Sequence, residues 1–124
     1  MANEITVTAR VRVSNGNYTF DKNLSKTDDQ TTAAGGNPGV VTIGTSEEDI
    51  SFGDLTDPGV CILQNLDDTN WVEYGKKDGS GNMQAIGVLR AEGLPHLIEL
   101  RNGATLRMKA DTASCKVLIL AQDR

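Results

Sequence analysis

From Ile5 to Val13 every odd position is apolar (Ile5, Val7, Ala9, Val11, Val13), while Thr6, Thr8, Arg10 and Arg12 hold the even ones. This period of two predicts a β-strand with one face in a core and the other turned to water or to a partner. Thr6, Thr8, Arg10 and Arg12 are therefore the candidate partner-facing residues. Asn15-Gly16 supplies a pair tolerant of left-handed backbone for a tight turn, and Tyr18 with Phe20 resumes the alternation as the return of a hairpin. The segment that follows differs. Leu24 to Ala34 is rich in Ser, Thr, Asp and Gln and runs into Gly35-Gly36-Asn37-Pro38-Gly39, so residues 24–39 are expected to be a flexible or partner-ordered loop.

Further along, turn signals recur about every eight to twelve residues, the rhythm of a sandwich or barrel. Val40 to Ile43 is a short apolar strand. Thr45-Ser46-Glu47-Glu48 resembles a helix capping box, but Asp49-Ile50-Ser51-Phe52 alternates, which leaves room for one helical turn at most. Asp57-Pro58-Gly59 predicts a type II turn ahead of Val60-Cys61-Ile62-Leu63, an apolar run typical of a central strand. Trp71 to Gly75 alternates again, Asp78 to Asn82 reads as a hairpin loop, and Met83–Leu89, His96–Leu100, Thr105–Ala110 and Lys116–Ala121 are further strands. About nine or ten short strands with connections too short for crossovers predict an antiparallel arrangement. The expected fold is all-β, a jelly-roll-like β-sandwich forming a single domain over residues 1–124.

A chain of 124 residues can bury a core without staples. Only 4% of its residues are aromatic, so that core must be aliphatic. Twelve basic against seventeen acidic side chains give a formal net charge of −5, which repels a phosphate backbone and argues against nucleic acid as a partner. Cys61 and Cys115 sit inside apolar stretches, the setting of buried reduced thiols in a protein made in the cytoplasm. Met1-Ala2-Asn3-Glu4 opens without a basic region followed by an apolar run, and no stretch has the length of a membrane span, so neither export nor a membrane partner is expected. Asn17-Tyr18-Thr19 and Asn23-Leu24-Ser25 match the glycosylation pattern by chance in that setting.

Catalytic groups are sparse. His96 is the only histidine, directly follows Pro95 and has no motif around it, which fits a solvated or hydrogen-bonded loop side chain. No G-x-S-x-G elbow and no thiol signature is present, and Gly35-Gly36 lacks the lysine and hydroxyl of a phosphate loop. No enzymatic activity and no cofactor are expected. Asp67-Asp68-Thr69-Asn70 and Asp78-Gly79-Ser80-Gly81-Asn82 offer clustered oxygens, but the second lacks the glutamate and helices of a calcium loop and reads as a hairpin turn. One histidine and two distant cysteines cannot close a zinc site.

Two stretches carry a resemblance. Ile50-Ser51-Phe52-Gly53-Asp54-Leu55-Thr56-Asp57-Pro58-Gly59, continuing through Ile62-Leu63-Gln64-Asn65-Leu66-Asp67-Asp68-Thr69-Asn70-Trp71-Val72-Glu73-Tyr74-Gly75, is similar to a pattern in small virion structural proteins of tailed bacteriophages. Leu100, Asn102, Thr105 to Lys109, Ala110-Asp111-Thr112-Ala113 and Val117-Leu118-Ile119-Leu120 fit the same pattern, so the likeness runs from about Ile43 onward. It implies a place in a particle: a capsid decoration or cement protein made in the host cytoplasm and carried in the virion. Its expected partners are the major capsid protein or another virion protein, with self-association favouring a trimer. The alternative is a tail or fibre component with a receptor- or carbohydrate-binding role, for which five aromatic residues are a poor endowment.

Overall fold

Glu4–Asn15 (β1) and Tyr18–Asp29 (β2) form an antiparallel hairpin in which twelve residues of one strand face twelve of the other. Asn15 pairs with Tyr18, so the turn residues are Gly16 and Asn17, one position later than the Asn15-Gly16 pair suggests. Gly16 has φ 56° at the first central position, where a type II′ turn requires positive φ and glycine adopts it without steric cost. The computed structural model describes residues 4–31 and 34–124. The chain divides into two compact units, residues 1–33 and 34–124, where the sequence pattern predicts one domain.

The second unit holds eight strands: β3 (Gly35–Ile43), β4 (Glu48–Asp49), β5 (Pro58–Asn65), β6 (Val72–Lys77), β7 (Met83–Leu89), β8 (His96–Glu99), β9 (Leu106–Ala110) and β10 (Cys115–Asp123). They form two antiparallel four-stranded sheets, ordered β3-β10-β5-β8 and β4-β9-β6-β7. The pairs β3/β10, β4/β9, β5/β8 and β6/β7 are nested one inside the next, as in a long two-stranded ribbon rolled over itself. This is a jelly roll.

Alternation along each strand builds the core between the sheets. Cys61, Leu63, Val117, Ile119 and Ala121 from the first sheet and Val72, Leu89, Met108 and Ala110 from the second are fully buried. Among the described residues Tyr74 is the one aromatic side chain buried in that core, with Phe52 packed at its margin. Val41, Ile98 and Leu100 are also packed at its border. The scarcity of rings is met by close-packed branched and linear aliphatics, which interdigitate between sheets about 10 Å apart.

Three local expectations are corrected. Residues 24–39 are not one loop: Leu24 to Asp29 pair with Ala9 to Glu4, and Gly35 to Gly39 pair with the end of β10. A ladder supplies backbone partners whatever the side-chain composition, which is why a polar stretch becomes strand here. The capping-box residues start no helix, because Glu48 and Asp49 pair with Met108 and Arg107. Pro58 opens β5 instead of occupying a type II turn, a position where its missing N–H costs the ladder nothing.

Candidate functional site

Each unit carries an apolar surface that its own strands leave exposed. On the hairpin, directly paired residues share a face, so Ile5, Val7, Ala9, Val11 and Val13 lie beside Asp28, Lys26, Leu24, Lys22 and Phe20. The expectation that this apolar face enters a core fails. Val11 is 59% exposed, Leu24 60%, Phe20 45% and Tyr18 60%. Alternation identifies the strand but is blind to what covers its apolar side, and two strands have no second layer of their own.

Thr6, Thr8, Arg10 and Arg12 occupy the other face together, as their spacing requires. Three of the four are engaged across the hairpin. The Thr6 and Thr27 hydroxyls are 2.9 Å apart, those of Thr8 and Ser25 3.1 Å, and Arg10 donates from Nε and Nη2 to both carboxylate oxygens of Asp21 at 2.9 and 2.7 Å. That fork of hydrogen bonds holds the Asp21 carboxyl below its ordinary range and raises Arg10 above its own. Much of the hydrogen bonding of the polar face is thus made within the hairpin, while its four residues remain exposed.

In the jelly roll, Val117, Ile119 and Ala121 point inward, so Leu118 and Leu120 point out of the first sheet. The register sets Val40 beside Leu118, and Pro38, Ile62 and Leu97 in the row of Leu120. Val40 is 57% exposed, and Ile62 and Leu97 are each 42% exposed. This makes an apolar band across all four strands. The second sheet is different: its outer positions include Glu73 beside Lys109 and Val88, and Arg107 opposite Asp49. Gln64 interrupts the band beside Leu118, and the second sheet carries exposed Ile86 and Val88 on β7 along with these charges.

Several polar residues between Asn65 and His96 serve the framework. Asn65, buried at the end of β5, donates from Nδ2 to the carbonyls of Asn70 at 2.8 Å and Leu89 at 3.1 Å, and its Oδ1 accepts from the Asp67 N–H at 2.9 Å. Asp67 Oδ2 accepts the N–H groups of Asn70 and Thr69 at 2.6 and 3.0 Å, which depresses its carboxyl. This chain of bonds shapes the corner where the polypeptide passes from one sheet to the other. Tyr74 on β6 and His96 on β8 bridge the sheets, with the hydroxyl 2.8 Å from Nδ1 and the rings edge-to-face at 5.6 Å. Burial pushes the Tyr74 hydroxyl above its usual range. Gly87 lies where an added Cβ would run into the Tyr74 ring, so the glycine is what admits the tyrosine. Of the two expectations for His96, the hydrogen-bonded one holds, with the residue at the start of β8 and not in a loop.

The two oxygen-rich loops are likewise tied to backbone. Asp78 Oδ1 accepts from Asn82 and Ser80 N–H at 2.9 and 2.8 Å, which lowers its carboxyl. Arg107, only 13% exposed, pairs with Asp49 at 3.0 Å and Glu47 at 3.7 Å and donates to the Glu47 and Gly81 carbonyls, fastening β4 to that loop. Among the described residues no three His, Cys, Asp or Glu side chains converge as a metal site would need. Buried Asp123 accepts from Thr56 and Asp57, and Arg124 pairs with Asp57 at 3.2 Å and Glu99 at 3.3 Å. Cavities of about 230 Å³ beside Tyr74, Ile86 and Ile98 and about 280 Å³ beneath residues 101–106 border the core. Cys61 and Cys115 are free and buried; burial alone pushes the Cys61 thiol to about 12.

Comparison with known protein families, with curated proteins and with solved structures finds none that matches this chain. The surfaces that stand out are the hairpin stripe and the outer band of the first sheet. Sequence alternation signals the stripe as apolar, but the band is hidden from it, because the band emerges only when strands distant in the chain are set side by side. Asn65, Tyr74 and Gly87 carry no signal of their own.

Proposed function

We propose that the protein is a structural component of a tailed-phage particle, a decoration or cement protein that binds capsid subunits and stabilises the head. The observation that carries this reading is the exposed apolar band across the outer face of β3-β10-β5-β8, where Pro38, Leu120, Ile62 and Leu97 form one row across all four strands. Two further points support it. Double-sheet jelly rolls recur in viral capsid and lectin domains, an analogy of fold and not of site, and the stretches 50–75 and 100–120 resemble phage virion proteins. Both the capsid protein and further copies of the chain are partners under this reading.

Quantitative mass spectrometry of purified particles from the phage that encodes the chain tests it. The protein is expected in fixed ratio to the major capsid protein, and particles made without it should release DNA at a lower temperature. Absence from heads, or recovery only with tails, overturns the decoration role.

A further inference from the structure

Lys76 stands at the end of a row of buried side chains. It follows Val72 and Tyr74 at the spacing of two that keeps β6 side chains on one face, and its partner across the ladder is the buried Leu106. β6 lies inside its sheet, so this lysine is not the inward charge that guards an open edge. It borders the cavity of about 230 Å³ whose apolar walls are Tyr74, Ile86, Ile98, Leu100 and Leu106, with edge strands β7 and β8 on its two sides. We infer that this cavity is a binding site for a small apolar carboxylate, its ring or short alkyl group between the sheets and its carboxylate on Lys76 and Arg101. The inference goes beyond the particle role and does not depend on it.

Two local features shape the cavity. Tyr74 pairs with Gly87 and Gly75 with Ala85, which leaves Ile86 as the extra residue of a β-bulge, 79% exposed. Bulges bend a strand and re-aim a side chain, and they are concentrated next to active sites. On the other side, the Lys77 N–H donates to the Thr105 carbonyl at 3.0 Å, and the Ala104 N–H to the Arg101 carbonyl at 3.0 Å in a turn where Gly103 has φ 78°. The loop after β8 is thus tied to the end of β6, and Arg101 and Lys76 line the same cavity.

Charge and size select the ligand. The charged residues lining the cavity are Lys76, Glu99 and Arg101. Glu99 is held by Arg124 at 3.3 Å, whereas among the described residues neither Lys76 nor Arg101 forms an ion pair. Two uncommitted cations beside apolar walls favour an anion with an apolar body. The arginine offers a planar fork matched to a carboxylate, and the lysine a compact point charge. An apolar cavity of about 150 Å³ takes up benzene, so this one has room for a single ring with a short arm.

Amide NMR of the isotope-labelled full chain, titrated with hydrocinnamate and separately with the corresponding uncharged alcohol, provides the test. The acid is expected to bind with a Kd of about 0.1–1 mM, as suits a ligand of that size, and to shift the amides of Gly75, Ile86, Leu100 and Ala104. The alcohol should bind about tenfold more weakly, because it lacks the charge-assisted bonds. Lys76→Gln and Arg101→Gln alter exposed side chains and leave the roll folded; each should weaken the acid by about fivefold or more and leave the alcohol unchanged. Equal binding of acid and alcohol, shifts confined to another part of the roll, or a double glutamine variant that binds the acid like wild type overturns the inference. So does binding of an acetylated peptide ending in phenylalanine when the free acid produces no shift. Incorporation into particles is measured separately, so loss of the decoration role would leave this result standing.

Discussion

Replacing Asn65 by alanine removes the hub of the β5–β6 corner, and the cost can be worked from its bonds. Three hydrogen bonds disappear, each with a net value of about 1 kcal/mol, and the groups they served are left buried with poor alternatives. The Leu89 carbonyl and Asp67 N–H lose a side-chain partner, and the Asn70 carbonyl keeps only the weak Cys115 thiol donor 3.7 Å away. The expected loss is about 3–5 kcal/mol, a large part of the roughly 5–15 kcal/mol that holds a domain together. Urea unfolding should show the midpoint falling by about 2–3 M with an unchanged slope. Asn65→Asp sharpens the test. Its carboxylate would face two carbonyl oxygens, so its folded pKa lies above the unfolded value of about 3.9. The penalty relative to asparagine should therefore be smallest below about pH 4, grow by about 1.4 kcal/mol for each further pH step of one, and level off once the folded pKa is passed. An alanine variant within about 1 kcal/mol of wild type, or an aspartate penalty flat from about pH 4 to pH 7, would refute the hub role.

Other outcomes follow from the same geometry. Gly87→Ala drives a Cβ into the Tyr74 ring and should cost about 2–3 kcal/mol in thermal unfolding, whereas Tyr74→Phe, which only strips the hydroxyl from His96, should cost about 1 kcal/mol. Because burial raises the Cys61 thiol to about 12, native protein at pH 8 should resist alkylation there until denaturant is added. Linkage has a definite sign: the stability tied to that thiol is complete below its unfolded pKa of about 8.5 and falls as pH rises toward the folded value, a loss that Cys61→Ala should abolish in alkaline melts. Residues 34–124 produced alone should keep the melting transition of the full chain within a few degrees, since their core takes nothing from the hairpin strands; a collapse of that transition would show otherwise.

The strand inventory is legible in the sequence because short pleated segments announce themselves through alternation and turn residues: β7 spans Met83–Leu89 as the pattern predicts, and β8, β9 and β10 differ from their expected ranges only at the ends. What fails is context. Ile5–Val13 is recognisable as a strand, but nothing local distinguishes an apolar face waiting for a core from one left exposed. Leu24–Asp29 looks unstructured by composition, although its pairing with β1 decides its conformation. The sheet order is beyond local reading, since Val40, Leu118, Ile62 and Leu97 meet only through pairings far apart in sequence. For the same reason no local signal connects Tyr74, Gly87 and His96, although the strand that His96 opens is itself legible.

The rolled ribbon has a consequence for biosynthesis. β10 is the latest strand in chain order, yet it lies inside the first sheet with β3 on one side and β5 on the other. While a ribosome is still making or shielding residues up to Asp123, β3 has no neighbour and the sheet lacks its middle. Folding of the roll is accordingly expected only after that strand emerges, and chains cut short before it should be degraded by proteases.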